Sequence, residues 1–234
     1  MTFKLILSAI NEDLFEAFKK HFAQFPEVEV VFKSFEQTEF DCVVSAANSF
    51  GLMDGGVDQC ITDYFGVQMM KRVQAKVISD YYGEQPVGTS MIVRGTKEFD
   101  INTGMIPKVK YVAHTPTMRI PMDIHQTRNV YSAMKAMLIA VEKHNESCTT
   151  NVKMDLGYVS KINTVVCPGL GTNAGRVPAE EAAKMMSLAL HHFLNPPTSV
   201  SWYFATERHS EIQNKQLSDN GMEGLDLSQF ENLK

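Results

Sequence analysis

Cysteine is scarce in this 234-residue chain and widely scattered. Cys42, Cys60, Cys148 and Cys167 form no C-x-x-C pair and no metal-ligand spacing, which excludes a disulfide scaffold and a zinc module and points to reduced thiols. Glycine (14) and proline (9) are too few for a fibrous or low-complexity chain. No stretch approaches ~20 uninterrupted apolar residues, so no membrane-spanning helix is expected. The apolar run at residues 5–7 lacks a basic leader, a full hydrophobic segment and a small-residue cleavage site, so no secretory signal is expected either. Cations are not in excess: 22 Lys and Arg stand against 27 Asp and Glu, a net charge of −5. That balance argues against a broad nucleic-acid surface, which needs clustered cations. It leaves room for one small anion at a local pocket or helix end.

What is present is an ordinary globular composition, 44% hydrophobic and 21% charged. At about 150 residues per domain, the length suits one large domain or two small ones. A soluble, cytoplasmic protein without metal or cofactor is the expectation. Strands are expected at residues 3–8, 28–32, 40–45, 88–94, 111–114, 164–167 and 200–205, where apolar or β-branched runs are short. Helices are expected after Asn11, over 57–79 in two pieces, at 128–144 and at 178–194. Asn11 reads as an N-cap, Pro178 as a residue near N1, and Glu180 and Glu181 as first-turn acids. Such alternation is the pattern of a layered α/β domain with a mostly parallel central sheet. One domain over 1–208 is expected, with an extra N-terminal strand–helix unit at 1–26 and a polar tail over 209–234.

In open α/β sheets, ligands bind beyond the carboxyl ends of the strands. Two loops have the composition for it. The first runs from Ser45 through Ala47, Asn48, Gly55, Gly56 and Val57 to Asp58. Its glycines sit at a helix entrance, where backbone N–H groups approach an anion closely. The second runs from Pro168 to Pro178 and holds Gly169, Gly171, Thr172, Asn173, Ala174, Gly175 and Arg176. Three glycines between strand and helix make a phosphate cradle, and either loop alone is equally a tight turn. Two of them on one domain could grip both ends of an extended, phosphate-bearing ligand.

These residues resemble the macro domain, an ADP-ribose-binding family. Its hallmark is a buried strand ending in N-A-A-N, a glycine run, and G-V-D opening a helix. Asp41-Cys42-Val43-Val44-Ser45-Ala46-Ala47-Asn48 and Gly55-Gly56-Val57-Asp58 are similar to it. Lys110-Tyr111-Val112-Ala113-His114-Thr115-Pro116 resembles the family's K-Y-V-I-H-x-x-x-P strand, and residues 168–178 stand where its pyrophosphate loop belongs. The resemblance implies a three-layer α/β/α fold. It also implies ADP-ribose or an ADP-ribosylated protein as partner, with possible hydrolysis of the ADP-ribosyl bond. Asn48 and Asp58 would then be the catalytic residues. Ser45 departs from the first Asn of the hallmark, and the family's adenine-facing acid falls on Ser34.

Simpler roles stand beside these. Asn48 contacts a ribose or caps its own turn. Asp58 acts on the ligand or charges a helix entrance. Arg176 neutralises phosphate or lies on the surface, and His114 reads as a core histidine. Bulky residues at Gly56 or Gly171 are expected to block the ligand and spare the fold. Two further readings stay open: a non-catalytic ADP-ribose reader, and a nicotinamide-dependent oxidoreductase using Gly169, Gly171 and Gly175 with Glu207 on the ribose. The last leaves the loop at 45–58 unexplained.

Overall fold

The computed structural model describes residues 1–95, 109–148 and 160–213. They fall into two compact units, Met1–Leu194 and Asn195–Lys234. The first unit opens with β1 (Lys4–Ala9), buried at every residue but its first. Asn11 then starts α1 (Glu12–Phe22), its side chain accepting from Leu14 N at 2.9 Å, with Glu12 and Asp13 at the positive end and Lys19, Lys20 and His21 at the negative end. β2 (Val28–Phe32), β3 (Cys42–Asn48), α2 (Gly56–Phe65), α3 (Gln68–Tyr81), β4 (Met91–Gly95), β5 (Lys110–Met118), α4 (Asn129–Ser147), β6 (Thr164–Cys167) and α5 (Ala179–Leu194) follow.

The six strands form one sheet in the order β2-β1-β6-β3-β5-β4. All neighbours run parallel except β4, which is antiparallel to β5. One face carries α2 and α3, whose Ile61, Phe65, Met69, Val73 and Val77 pack onto Val43, Val112, Met91 and Val93. On the other face α5 packs against both α1 and α4. This is the three-layer α/β/α arrangement expected from the strand–helix alternation.

The N-terminal strand–helix unit belongs to the same sheet: β1 lies between β2 and β6, paired to both. One expectation needs correction. Residues 200–205 are not a strand. They enter α6 (Trp202–Gln213) of the second unit, where Ser201 acts as the cap, accepting from Phe204 N at 3.2 Å on its Oγ and from Ala205 N at 2.9 Å on its carbonyl. The run of Trp202, Tyr203 and Phe204 has strand-like composition, and a serine cap immediately before it overrides that preference. Of the tail expected over 209–234, residues 209–213 continue α6 and 214–234 lie outside the described residues. No helix among the described residues is long and apolar enough to cross a membrane.

Candidate functional site

β6 and β3 are neighbours in the sheet, so the loops leaving their carboxyl ends start side by side. The second loop reaches across to α2: a Cβ built on Gly56 would stand 3.1 Å from Asn173 Nδ2. It also abuts α1, since a Cβ on Gly169 would stand 2.6 Å from Leu14 Cδ2. The loop is therefore lodged between the first turns of two helices. α1 is capped by Asn11, whereas α2 begins at Gly55 without a side-chain cap. The first-turn N–H groups of α2, on Gly56, Val57 and Asp58, have no helical acceptor by construction. An uncapped helix start facing a glycine loop has donors and a dipole of the kind that suit an anion.

The glycines divide into two kinds. Gly171 has φ +73°, and a Cβ there would meet Val130 Cγ2 at 3.0 Å and Ile124 Cδ1 at 3.1 Å. A Cβ on Gly175 would run into the Gly171 carbonyl and Ile124. Val177 N donates to Gly171 O at 3.0 Å and Arg176 N to Asn173 O at 2.9 Å, curling the loop over Ile124. These glycines let the loop close on the core, which overturns the expectation that Gly171 can be filled without cost to the fold. Gly55 is the other kind: nothing lies within 4 Å of its absent Cβ. Gly56, at φ +56°, needs the left-handed region for the helix entry itself.

Asn48 ends β3, and all but one hydrogen of its amide is engaged by its own loop. Nδ2 donates to Leu52 O at 2.7 Å, and Oδ1 accepts from Phe50 N at 3.0 Å and Leu52 N at 3.3 Å. One Nδ2 hydrogen stays available for a ligand. Ala47 is buried, and Val57 packs by its side chain against the α2–α3 core. Behind Asn48, Ser45 Oγ donates to Asp58 Oδ1 at 2.6 Å, both residues being buried. Burial raises the Asp58 carboxyl from 3.8 to about 6; the Ser45 hydroxyl works against that rise, and Asp54 adds to it. Sequence reasoning registered Ser45 as a departure from the hallmark and missed its partner, thirteen residues on. The available signal was a serine on the strand face that looks toward the helix carrying Asp58.

His114 is the core histidine expected. It pairs in register with Ser45, its Nδ1 lies 2.6 Å from Gln85 Oε1, and burial lowers its pKa to about 3. Since the Gln85 carbonyl oxygen only accepts, Nδ1 carries the proton and the ring is neutral. Ser34 lies beyond the end of β2, half-buried, beside exposed Phe32. Three strand spacings of about 4.8 Å separate β2 from β3, so the row of loop starts extends over about 14 Å. Arg176 is exposed at the outer end of the second loop with φ +52°. Glu207, the acid of the oxidoreductase reading, is on α6 and not at a strand end. Among the described residues no three His, Cys, Asp or Glu side chains cluster as metal ligands.

Known proteins are similar to this chain in sequence and in fold. An uncharacterized protein of Aquifex aeolicus (strain VF5) is 29% identical over 167 residues, 71% of this chain and 82% of its own. The macrodomain of Mycobacterium tuberculosis DarG shares the fold at a TM-score of 0.50 and 13% identity, over 80% of this chain and 90% of that one. Thermosipho africanus DarTG in complex with ADP-ribose gives a TM-score of 0.48 at 11% identity, over 89% of this chain and 57% of that one. The family model described as Macro domain matches residues 44–186, from the strand that carries Ser45 and Asn48 to the helix that follows the second loop. The chain belongs to the macro domain family.

Proposed function

We propose that the chain binds ADP-ribose, free or as the ADP-ribosyl group of a modified protein. The observation that carries this reading is the uncapped start of α2 meeting the second loop, Gly56 against Asn173. There the diphosphate takes N–H groups from Gly56 and Val57 on one side and from residues 171–175 on the other. Asn48 offers its remaining N–H to the distal ribose, and Arg176 supplies positive charge at the loop's outer end. The base lies toward Ser34 and Phe32. The buried thiols of Cys42 and Cys167, pushed up by burial, suit a reducing cytoplasm.

Calorimetry with ADP-ribose and with AMP tests this. ADP-ribose should bind, and AMP should bind much more weakly because it lacks the distal phosphate and ribose. At 100 times Kd, ADP-ribose should stabilise the fold by about 2.7 kcal/mol. No heat with millimolar ADP-ribose would end the reading.

Hydrolysis of the ADP-ribosyl bond is a second reading, and one observation favours it. A carboxyl at about 6 sits buried at the entrance of α2, and perturbed acids of this kind concentrate at reactive sites. In this reading Asp58 stabilises positive charge growing on the ribose, and Asn48 orients the ring. Turnover of an ADP-ribosylated protein separates hydrolase from reader.

A further inference from the structure

The hydrolysis reading places Asp58 and Asn48 on the ribose and assigns no group to take the proton of the attacking water. Asp58 has one oxygen committed to Ser45 and lies buried under the α2 entrance, and Asn48 is not basic. A different cluster stands on the loop that leaves β5, the sheet neighbour of β3. The loop from β5 to α4 is tied to both glycine-bearing loops: Ser49 N donates to Arg119 O at 3.1 Å, and Ile124 N donates to Gly175 O at 2.9 Å. The residues on either side of Ile124 are Asp123 and His125. His125 Nδ1 lies 2.6 Å from Asp123 Oδ1, and the His125 backbone N–H donates to the same oxygen at 3.0 Å. Both side chains are close to half exposed, at 47% for His125 and 40% for Asp123. Arg176, next to Gly175, acts on Asp123 through its charge.

The chemistry of this corner follows from the hydrogen bonds. A carboxylate only accepts, so Nδ1 must carry the proton, and in the neutral ring Nε2 is left as a bare lone pair. Asp123 is held ionised by the His125 backbone N–H first, then by its ring, with Arg176 adding to both. The backbone of the segment is anchored: Ile124 is fully buried, wedged beneath Gly171 and Gly175, and its N–H donates to Gly175 O, so positions 123 and 125 flank a fixed point of the second loop. A carboxylate orienting an imidazole whose far nitrogen is free is the arrangement used to make histidine a base. Arg176 adds a planar cation that can receive an oxyanion.

We propose that His125, positioned by Asp123, is the general base for hydrolysis of the ADP-ribosyl bond, with Arg176 receiving the departing group; this rests on the hydrolysis reading above. Nε2 takes a proton from water as the water oxygen bonds to the ribose C1″. The bond from C1″ to the carried carboxyl oxygen breaks, and its electron pair leaves with the carboxylate, which the guanidinium of Arg176 holds. The proton on Nε2 then passes to solvent. Water is the only co-reactant.

The test uses the full chain and an ADP-ribosyl ester of a glutamyl peptide, with single-turnover kinetics and ADP-ribose calorimetry run in parallel. His125→Gln should lower kcat at least 100-fold and leave the Kd for ADP-ribose within twofold. Asp123→Asn should lower kcat about tenfold or more, again without weakening ADP-ribose, a split that a merely structural role would not produce. Arg176→Ala should lower kcat as well. Unchanged melting temperatures would show that the exposed substitutions spare the fold. Parent-like kcat in His125→Gln would overturn the proposal, and so would a parent that binds ADP-ribose and releases none from the ester. In both of those cases the binding reading survives. A parent that binds no ADP-ribose overturns the reading itself.

Discussion

Replacing Asp58 by Asn keeps the shape of the side chain and an oxygen that can accept from Ser45, and removes the charge. Burial raises the folded-state pKa of Asp58 from 3.8 to about 6. Between those two values the native state holds more protons than the unfolded chain, so stability falls as pH rises through the window. The penalty is complete above about pH 6. At ~1.4 kcal/mol per pH unit the window is worth about 3 kcal/mol, because the group is almost wholly buried and gains little from solvent screening. The parent's stability, measured alone, would hide this. His114, lowered to about 3 by burial, contributes the opposite slope, its stabilisation being lost as pH falls below its ordinary 6.5. The difference between parent and Asp58→Asn cancels His114. Asn also brings an N–H pair that the carboxylate lacked, an added cost of about 1 kcal/mol if unpaired, and that cost does not depend on pH. The slope of the difference is therefore the diagnostic. Urea denaturation at pH 4, 5, 6 and 8, with m held common, should show the variant gaining on the parent by about 2.5 kcal/mol between pH 4 and pH 8, since part of the window already lies below pH 4. A difference that is flat in pH would mean that Asp58 titrates alike in folded and unfolded states, and the assignment of burial as the dominant cause would fail.

Gly55→Val should leave the melting temperature near the parent's and weaken ADP-ribose at least tenfold, because the new side chain fills open space at the α2 entrance; calorimetry and a thermal melt decide it together. Gly171→Val should instead lose about 1–3 kcal/mol of stability, since its side chain meets Val130, Ile124 and Val177 from a left-handed backbone; a parent-like melt would refute the packing described. In a nitrogen-detected NMR titration, His114 should hold one neutral tautomer with the proton on Nδ1 from pH 5 to pH 8; any protonation shift in that range would contradict its burial against Gln85. Deleting residues 1–26 should abolish folding, because β1 fills an interior place between β2 and β6; a cooperative melt of the deleted chain would show that the sheet closes without it.

Period and capping made most elements legible. Asn11 before Glu12 and Asp13, with Phe18 and Phe22 on one face, specifies α1 locally, and local signals survive in the fold. β2 was readable to the residue because its β-branched run is bounded by Pro26 and the polar residues after Phe32. The order of the strands was not readable. No local signal says that a chain's first strand inserts between its second and its last, since parallel neighbours are chosen by packing over long separations. Residues 200–205 failed for the converse reason. Their aromatic content matches a strand surface, and that preference depends on a partner strand, which these residues lack.

The site divides along the same line. Glycines announced the two loops, but composition could not tell a glycine that admits a ligand from one that admits the loop's own backbone. Gly55 and Gly171 look alike in sequence, and only the atoms around the missing Cβ separate them. Asn48 was visible as a residue, whereas its engagement with Phe50 and Leu52 depends on how the loop turns back. Ser45 and Asp58 were each in view as single positions. Their bond exists because β3 points position 45 at α2, and α2 starts early enough to put position 58 in its first turn. Asp123 and His125 carried a short-range cue, a carboxylate two residues before an imidazole, which is common in turns and meaningless alone. What raises it is Ile124 pinned to Gly175, a contact 51 residues away in sequence that brings this segment against the second loop. Local chemistry was written in the sequence, and its convergence was set by the sheet.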